Sequence, residues 1–177
     1  TKDLILNSGI SGRTCPQLLN DDYEHLVSRH KPDAVFVMIG MNDMAAYGDS
    51  KLFRQYLTTL IRRIRAGKSI PILQTINPIL AIPNNQKYMV RYNKLGEFNT
   101  VIRQIAEKEA VILVDHAAHW AKTAPTENEL KKLLGQAVHP GGAGHLEMAK
   151  EIFRTLNIFD EKSQCCSPIG TPFSLSK

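Results

Sequence analysis

Four brief apolar runs, spaced by longer amphipathic segments, set the tightest limit on how this chain folds. The runs are DLILN (3–7), DAVFVMIG (33–40), SIPILQTI (69–76) and AVILVD (110–115). Each is β-branched and apolar at successive positions, so a strand made from it needs cover on both faces. That is the pattern of a parallel sheet flanked by helices. The intervening segments near 16–29, 50–66, 88–109 and 142–156 carry apolar residues at helical spacing. Leu57, Leu60, Ile61 and Ile64 form one stripe; Val101, Ile102 and Ile105 form another. Strand–helix alternation predicts right-handed βαβ crossovers and an α/β fold, a three-layer α/β/α sandwich on a parallel sheet.

In such sheets the chemistry sits on loops that follow the carboxyl ends of the strands. The candidates are NSGISGRT (7–14), GMND (40–43) and NPILAIPNNQ (77–86), joined by the late histidine loop GQAVHPGGAGH (135–145). The tail DEKSQCCSPIGTPFSLSK (160–177) is polar with scattered Pro, Ser and Gly, and reads as an extension beyond a single domain at 1–159.

Composition excludes several classes. The net charge is +5, but the basic residues fall mostly in stretches such as RQYLTTLIRRIRAGK (54–68), where they alternate with Leu and Ile. This is the solvated side of an amphipathic helix, and no aromatic-plus-basic platform accompanies it, which argues against nucleic acid as a partner. No apolar run reaches the ~20 residues of a membrane span, and TKDLILNSGI lacks the basic leader of a signal peptide. Three cysteines, Cys15, Cys165 and Cys166, form neither a disulfide framework nor a zinc spacing. His116 and His119 lack a third ligand at a familiar interval, so no metal is expected.

Gly9 and Gly12 end the first run and permit a turn with bare backbone N–H groups; the spacing is not that of a phosphate loop. Asn42 can donate an amide hydrogen into a cleft, whereas Asp43 reads as a carboxylate that stabilises the following turn. His139, before a proline and a run of glycines, is a candidate general base.

Taken in order, these blocks resemble the SGNH (GDSL-type) hydrolase family, whose fold is a flavodoxin-like α/β sandwich. NSGISGRT resembles the second block, in which a glycine N–H helps form the oxyanion hole; that position is Gly12. GMND resembles the third block, G-x-N-D, whose Asn is a further oxyanion donor; that position is Asn42. AVHPGGAGHLEMA (137–149) resembles the fifth, in which the histidine before proline is the base; that position is His139.

The resemblance also marks two departures. The family's first block, a strand followed by G-D-S, precedes the second and carries the nucleophile, so the nucleophile and first strand are expected outside residues 1–177. Gly48-Asp49-Ser50 comes after the third block and opens a helix, and Ser8 and Ser11 belong to the wrong block. The family's D-x-x-H places an acid three residues before the histidine; here that residue is Gln136, which orients an imidazole without offering charge. Asp115 reads as structural, His145 as a helix-start residue, and Trp120, Tyr88 and Tyr92 as packing residues.

The implied function is a serine esterase that cleaves short acyl esters, acetyl on a carbohydrate among them, by a Ser–His mechanism with no cofactor. Residues 1–177 alone are then expected to be inactive. A non-catalytic binding or assembly domain on the same fold is the alternative, and pairing with a second copy would replace a missing strand. A flavodoxin-like signalling or nucleotide domain ranks last, for want of an acidic phosphoacceptor pocket and a phosphate loop.

Overall fold

The structure is a computed structural model that describes residues 4–163 and 166. The chain divides into two compact units, Thr1–Ile76 with Ala81–Leu113, and Asn77–Leu80 with Val114–Lys177.

In the first unit, a broken helical segment begins with α1 (Cys15–Gln17), passes through a π turn (Leu18–Asp22) and α2 (Tyr23–Leu26), and ends in a 3-10 turn (Ser28–His30). A single helix was expected near 16–29. The segment is interrupted by the widened turn, whose last residue, Asp22, pairs with Arg13 at 2.8 Å. Next come β1 (Ala34–Val37), α3 (Met41–Ala46), α4 (Ser50–Ala66), β2 (Ile70–Gln74) and α5 (Gln86–Lys108), with β3 at Ile112–Val114. The strands lie in the order β1-β2-β3, and β1 runs parallel to β2 with Ala34 opposite Ile70 and Val37 opposite Leu73. The fold is α/β, as the alternation of strand and helix patterns requires.

Helix α4 supplies the core. Phe53, Leu57, Leu60, Ile61 and Ile64 recur every three or four residues and are buried. They meet Phe98, Val101, Ile102 and Ile105 of α5, with the Phe53 and Phe98 rings 4.8 Å apart. Val35, Val37 and Leu73 face this cluster from the sheet. On the opposite side of the pleat, Phe36, Met38, Ile70 and Ile112 remain exposed, so the cover expected on both faces is incomplete there.

The run at 3–7 is not a strand over its described residues. Leu4 and Ile5 are 83% and 90% exposed. An apolar β-branched run becomes a strand only when a neighbour supplies ladder bonds, and none pairs with it among the described residues.

The second unit holds α6 (His116–Thr123), α7 (Glu127–Leu133) and α8 (Gly142–Thr155). Trp120 is fully buried here, a core residue as expected. Asp115 caps α6 by accepting from the Ala118 N–H at 3.0 Å, and the side chains of Thr126 and Glu129 close a capping box on α7. Of the tail at 160–177, only 160–163 and 166 are described. Among the described residues no helix is long and apolar enough to cross a membrane.

Candidate active site

The candidate residues fall in two groups, one in each unit. In the first unit, Gly12 lies in a turn at φ +81°, a left-handed conformation that residues with a Cβ adopt at a cost. Its N–H meets no acceptor among the described residues. The turn is pinned on its far side by Arg13, which forms an ion pair with Asp22 and donates from Nη2 to its Oδ1 at 3.1 Å, and by Thr14, whose N–H and hydroxyl both reach Gln17 Oε1 at 3.0 Å.

The loop after β1 approaches this turn through Gly40, which stands at φ +121° and precedes α3. A Cβ at Gly40 would come within 2.9 Å of Ile76 Cδ1 and 3.0 Å of Phe53 Cζ, so the first position of G-x-N-D has no room for a side chain. Asn42 donates from Nδ2 to the Arg13 carbonyl at 3.2 Å, so the two loops meet one residue past Gly12. One hydrogen of its amide is committed to that bond, and the second is available to a ligand.

Asp43 does more than stabilise its own turn. It is fully buried, and its Oδ1 accepts from the Cys15 N–H at 2.8 Å and from the Tyr47 hydroxyl. The carboxylate therefore bolts the start of α1 to α3 and sets the spacing between the Gly12 turn and Asn42. Burial pushes the Asp43 carboxyl above its ordinary range, against the bonds that hold it down. The Cys15 thiol is pushed up chiefly by the same desolvation, which leaves it inert.

Arg91 is a residue that periodicity alone did not single out. It lies on α5, is 8% exposed, and donates from Nε to the Met41 carbonyl and from Nη2 to Asn42 Oδ1, both at 3.1 Å. An arginine in an amphipathic helix pattern reads as solvated; only the tertiary fold turns this one inward.

In the second unit, the histidine loop is closed by an antiparallel bridge between Leu134 and Pro140. The His139 carbonyl accepts from Gly135 N–H at 3.0 Å, Gly141 N–H reaches the Leu133 carbonyl at 2.8 Å, and Leu80 N–H reaches the Ala137 carbonyl at 2.9 Å. Gly144 lets α8 approach closely, since a Cβ there would lie 2.2 Å from the Leu133 carbonyl. The loop is thus tied through its backbone while the His139 ring is exposed. Its Nδ1 lies 3.2 Å from Gln136 Oε1. An amide oxygen only accepts, so this contact calls for Nδ1–H and leaves the Nε2 lone pair free to take a proton.

The remaining candidates fall elsewhere. Ser50 opens α4 behind its N-cap Asp49, which accepts from Lys51 N–H and Leu52 N–H, and its hydroxyl engages Glu97. Ser8 donates to the Leu26 carbonyl at 2.7 Å, and Ser11 is exposed. His145 is exposed in the first turn of α8. His116 is buried, and desolvation lowers its pKa to about 4. His119 stands between Glu147 and Glu151 at 3.4 and 3.3 Å.

Residues 1–146 match the GDSL-like lipase/acylhydrolase family. The chain belongs to this family. An acetylxylan esterase of Geobacillus stearothermophilus is 30% identical over 168 residues, which are 86% of this chain and 71% of that one. The crystal structure of Axe2, an acetylxylan esterase from the same organism, superposes with a TM-score of 0.70 at 26% identity, over 84% of this chain and 69% of the other. A GDSL-like lipase from Bacteroides thetaiotaomicron shares the fold, with a TM-score of 0.69 at 22% identity, over 85% of this chain and 73% of its own. Membership in a GDSL-like lipase/acylhydrolase family makes the reaction class ester hydrolysis.

Proposed function

We propose that this protein is a serine esterase that removes short acyl groups, acetyl esters of a carbohydrate in particular, with its nucleophilic serine supplied from outside residues 1–177. His139 is the general base, Gln136 orients it, and the Gly12 N–H and the Asn42 amide receive the oxyanion. The carbohydrate acetyl ester is suggested by the acetylxylan esterase relative. The observation that carries the reading is the contact between His139 Nδ1 and Gln136 Oε1, which leaves Nε2 as the basic atom.

The chemistry follows from those assignments. The serine hydroxyl attacks the ester carbonyl as Nε2 takes its proton, and the carbonyl oxygen becomes an oxyanion held by the Gly12 and Asn42 donors. Collapse expels the alcohol, which leaves with the proton now on Nε2, and the acyl group stays on the serine. Water then attacks the acyl-enzyme, giving a proton to Nε2, and collapse of the second oxyanion breaks the acyl–serine bond as Nε2 returns that proton to the serine oxygen and the carboxylic acid departs. Gln136 holds the ring in the required tautomer but adds no charge to support the imidazolium.

The test uses the intact protein with p-nitrophenyl acetate and a serine-directed fluorophosphonate probe. Hydrolysis and labelling are expected in wild type, with His139→Ala abolishing turnover, Gln136→Ala retaining a substantial part and Gln136→Asp raising the rate. Neither hydrolysis nor labelling would favour the non-catalytic binding domain. Turnover by residues 1–177 alone, lost in Ser8→Ala or Ser11→Ala, would overturn the placement of the nucleophile.

A further inference from the structure

We infer that Arg91 is the positioning residue that fixes which end of the Asn42 amide faces the reacting ester; this rests on the reading of Asn42 as an oxyanion donor. The two ends of an Asn amide are nearly equal in shape and opposite in polarity. Rotated by a half-turn, Asn42 would present an oxygen to the oxyanion and repel it. A guanidinium only donates and a backbone carbonyl only accepts. With Arg91 Nη2 at 3.1 Å from Oδ1 and the Arg13 carbonyl at 3.2 Å from Nδ2, the half-turn would set donor against donor and acceptor against acceptor. Both contacts therefore enforce one orientation.

The choice of arginine follows from the geometry. Its Nε is occupied by the Met41 carbonyl while Nη2 reaches the very next residue, a two-point grip that a lysine ammonium on a flexible stem does not reproduce. Arg91 is 8% exposed, and among the described residues no carboxylate pairs with its guanidinium, which also lies over the Tyr88 ring at 5.6 Å. A nearly buried cation left without a counter-ion is costly for a purely structural brace. Beside a site that develops negative charge, the same cation is complementary. It also polarises the Asn42 carbonyl and thereby strengthens the remaining N–H as a donor.

The experiment compares kcat and KM for p-nitrophenyl acetate in the intact wild type, Asn42→Ala, Arg91→Met, Arg91→Lys and the Asn42→Ala/Arg91→Met double variant. Loss of the Asn42 donor lowers kcat by about 10²–10³-fold. Arg91→Met is expected to lower kcat by ~10–100-fold with little change in KM, and the double variant to match Asn42→Ala within about threefold, because residues acting through one group do not add. Arg91→Lys recovers only part of the loss. Independent losses that multiply, or an Arg91→Met enzyme with full kcat beside a crippled Asn42→Ala, would overturn the assignment.

A readout apart from turnover keeps the two readings separate. The Asn42 side-chain amide signals, identified in ¹H–¹⁵N spectra by their disappearance in Asn42→Ala, should shift in the folded Arg91→Lys protein. Unchanged signals would overturn the role of Arg91 even if Arg91→Met fails to fold. Shifted signals in a protein without esterase activity would support the Arg91–Asn42 link and sink the proposed function.

Discussion

Replacing Asp43 with alanine tests the bolt between α1 and α3 most directly. The variant leaves the buried Cys15 N–H without an acceptor and removes the bond from the Tyr47 hydroxyl. An orphaned buried donor costs about 1–3 kcal/mol, and the half-buried hydroxyl, which water can reach, adds roughly 1 kcal/mol. The total is about 2–4 kcal/mol, or a fall in Tm on the order of 4–16 °C at about 2–4 °C per kcal/mol for a chain of this size. Asp43→Asn keeps an oxygen for the Cys15 N–H and can donate to the Tyr47 oxygen, so its cost stays under about 1 kcal/mol. The two variants also separate by pH. Burial raises the Asp43 carboxyl above its ordinary value of 3.8, so the folded state holds the proton more tightly than the unfolded chain does. The stability gained in this way is complete below the ordinary value and disappears as pH rises through the folded pKa. Asp43→Asn should therefore gain on wild type as pH rises above about 4. Urea titrations of the intact proteins between pH 4 and 8 measure both effects. An Asp43→Ala protein within about 0.5 kcal/mol of wild type, below the cost of one orphaned donor, would refute the bolt.

His116 predicts acid sensitivity in the second unit. Its folded pKa of about 4 lies below the ordinary 6.5, so the stability it contributes is present above 6.5 and is lost as pH falls toward 4, by up to about 3 kcal/mol. His116→Gln should flatten the acid limb of a Tm–pH curve, and an unchanged slope would show that the ring is hydrated. Gly12→Ala forces a Cβ into the left-handed region at a cost of about 1–2 kcal/mol. No atom lies within 4 Å of the added carbon, so the fold survives; esterase kcat should fall as the turn shifts its N–H, and unaltered kcat would remove Gly12 from the oxyanion site.

The helices α4 and α5 are legible because each packs an apolar stripe that repeats with the helical period. The stripes at Leu57–Ile64 and Val101–Ile105 are the ones buried. Helix α3 was hidden inside GMND because a polar turn motif and a helix start look alike when Asn and Asp follow Gly. Helices α6 and α7 are too short to show a full apolar period, and only their caps, Asp115 and Thr126, mark where they begin. Gly12 and Asn42 stand at the oxyanion positions that the family resemblance implies, and their loops meet through the Asn42–Arg13 bond. Gln136 was named as the orienting neighbour of His139, and the two side chains do touch. Arg91 escaped notice because its function depends on a contact across 49 residues of sequence. No local pattern encodes that contact.

Just beyond β2, the Ile76 peptide is satisfied by a side chain in place of a neighbouring strand. Asn99 Oδ1 accepts its N–H at 2.8 Å and Nδ2 donates to its carbonyl at 2.9 Å. The amide proton of Ile76 is therefore shielded by α5 and not by the ladder. It exchanges with solvent when that helix lifts, even while the strands stay paired. Hydrogen exchange at this one peptide thus clocks the undocking of α5, the helix that carries Arg91.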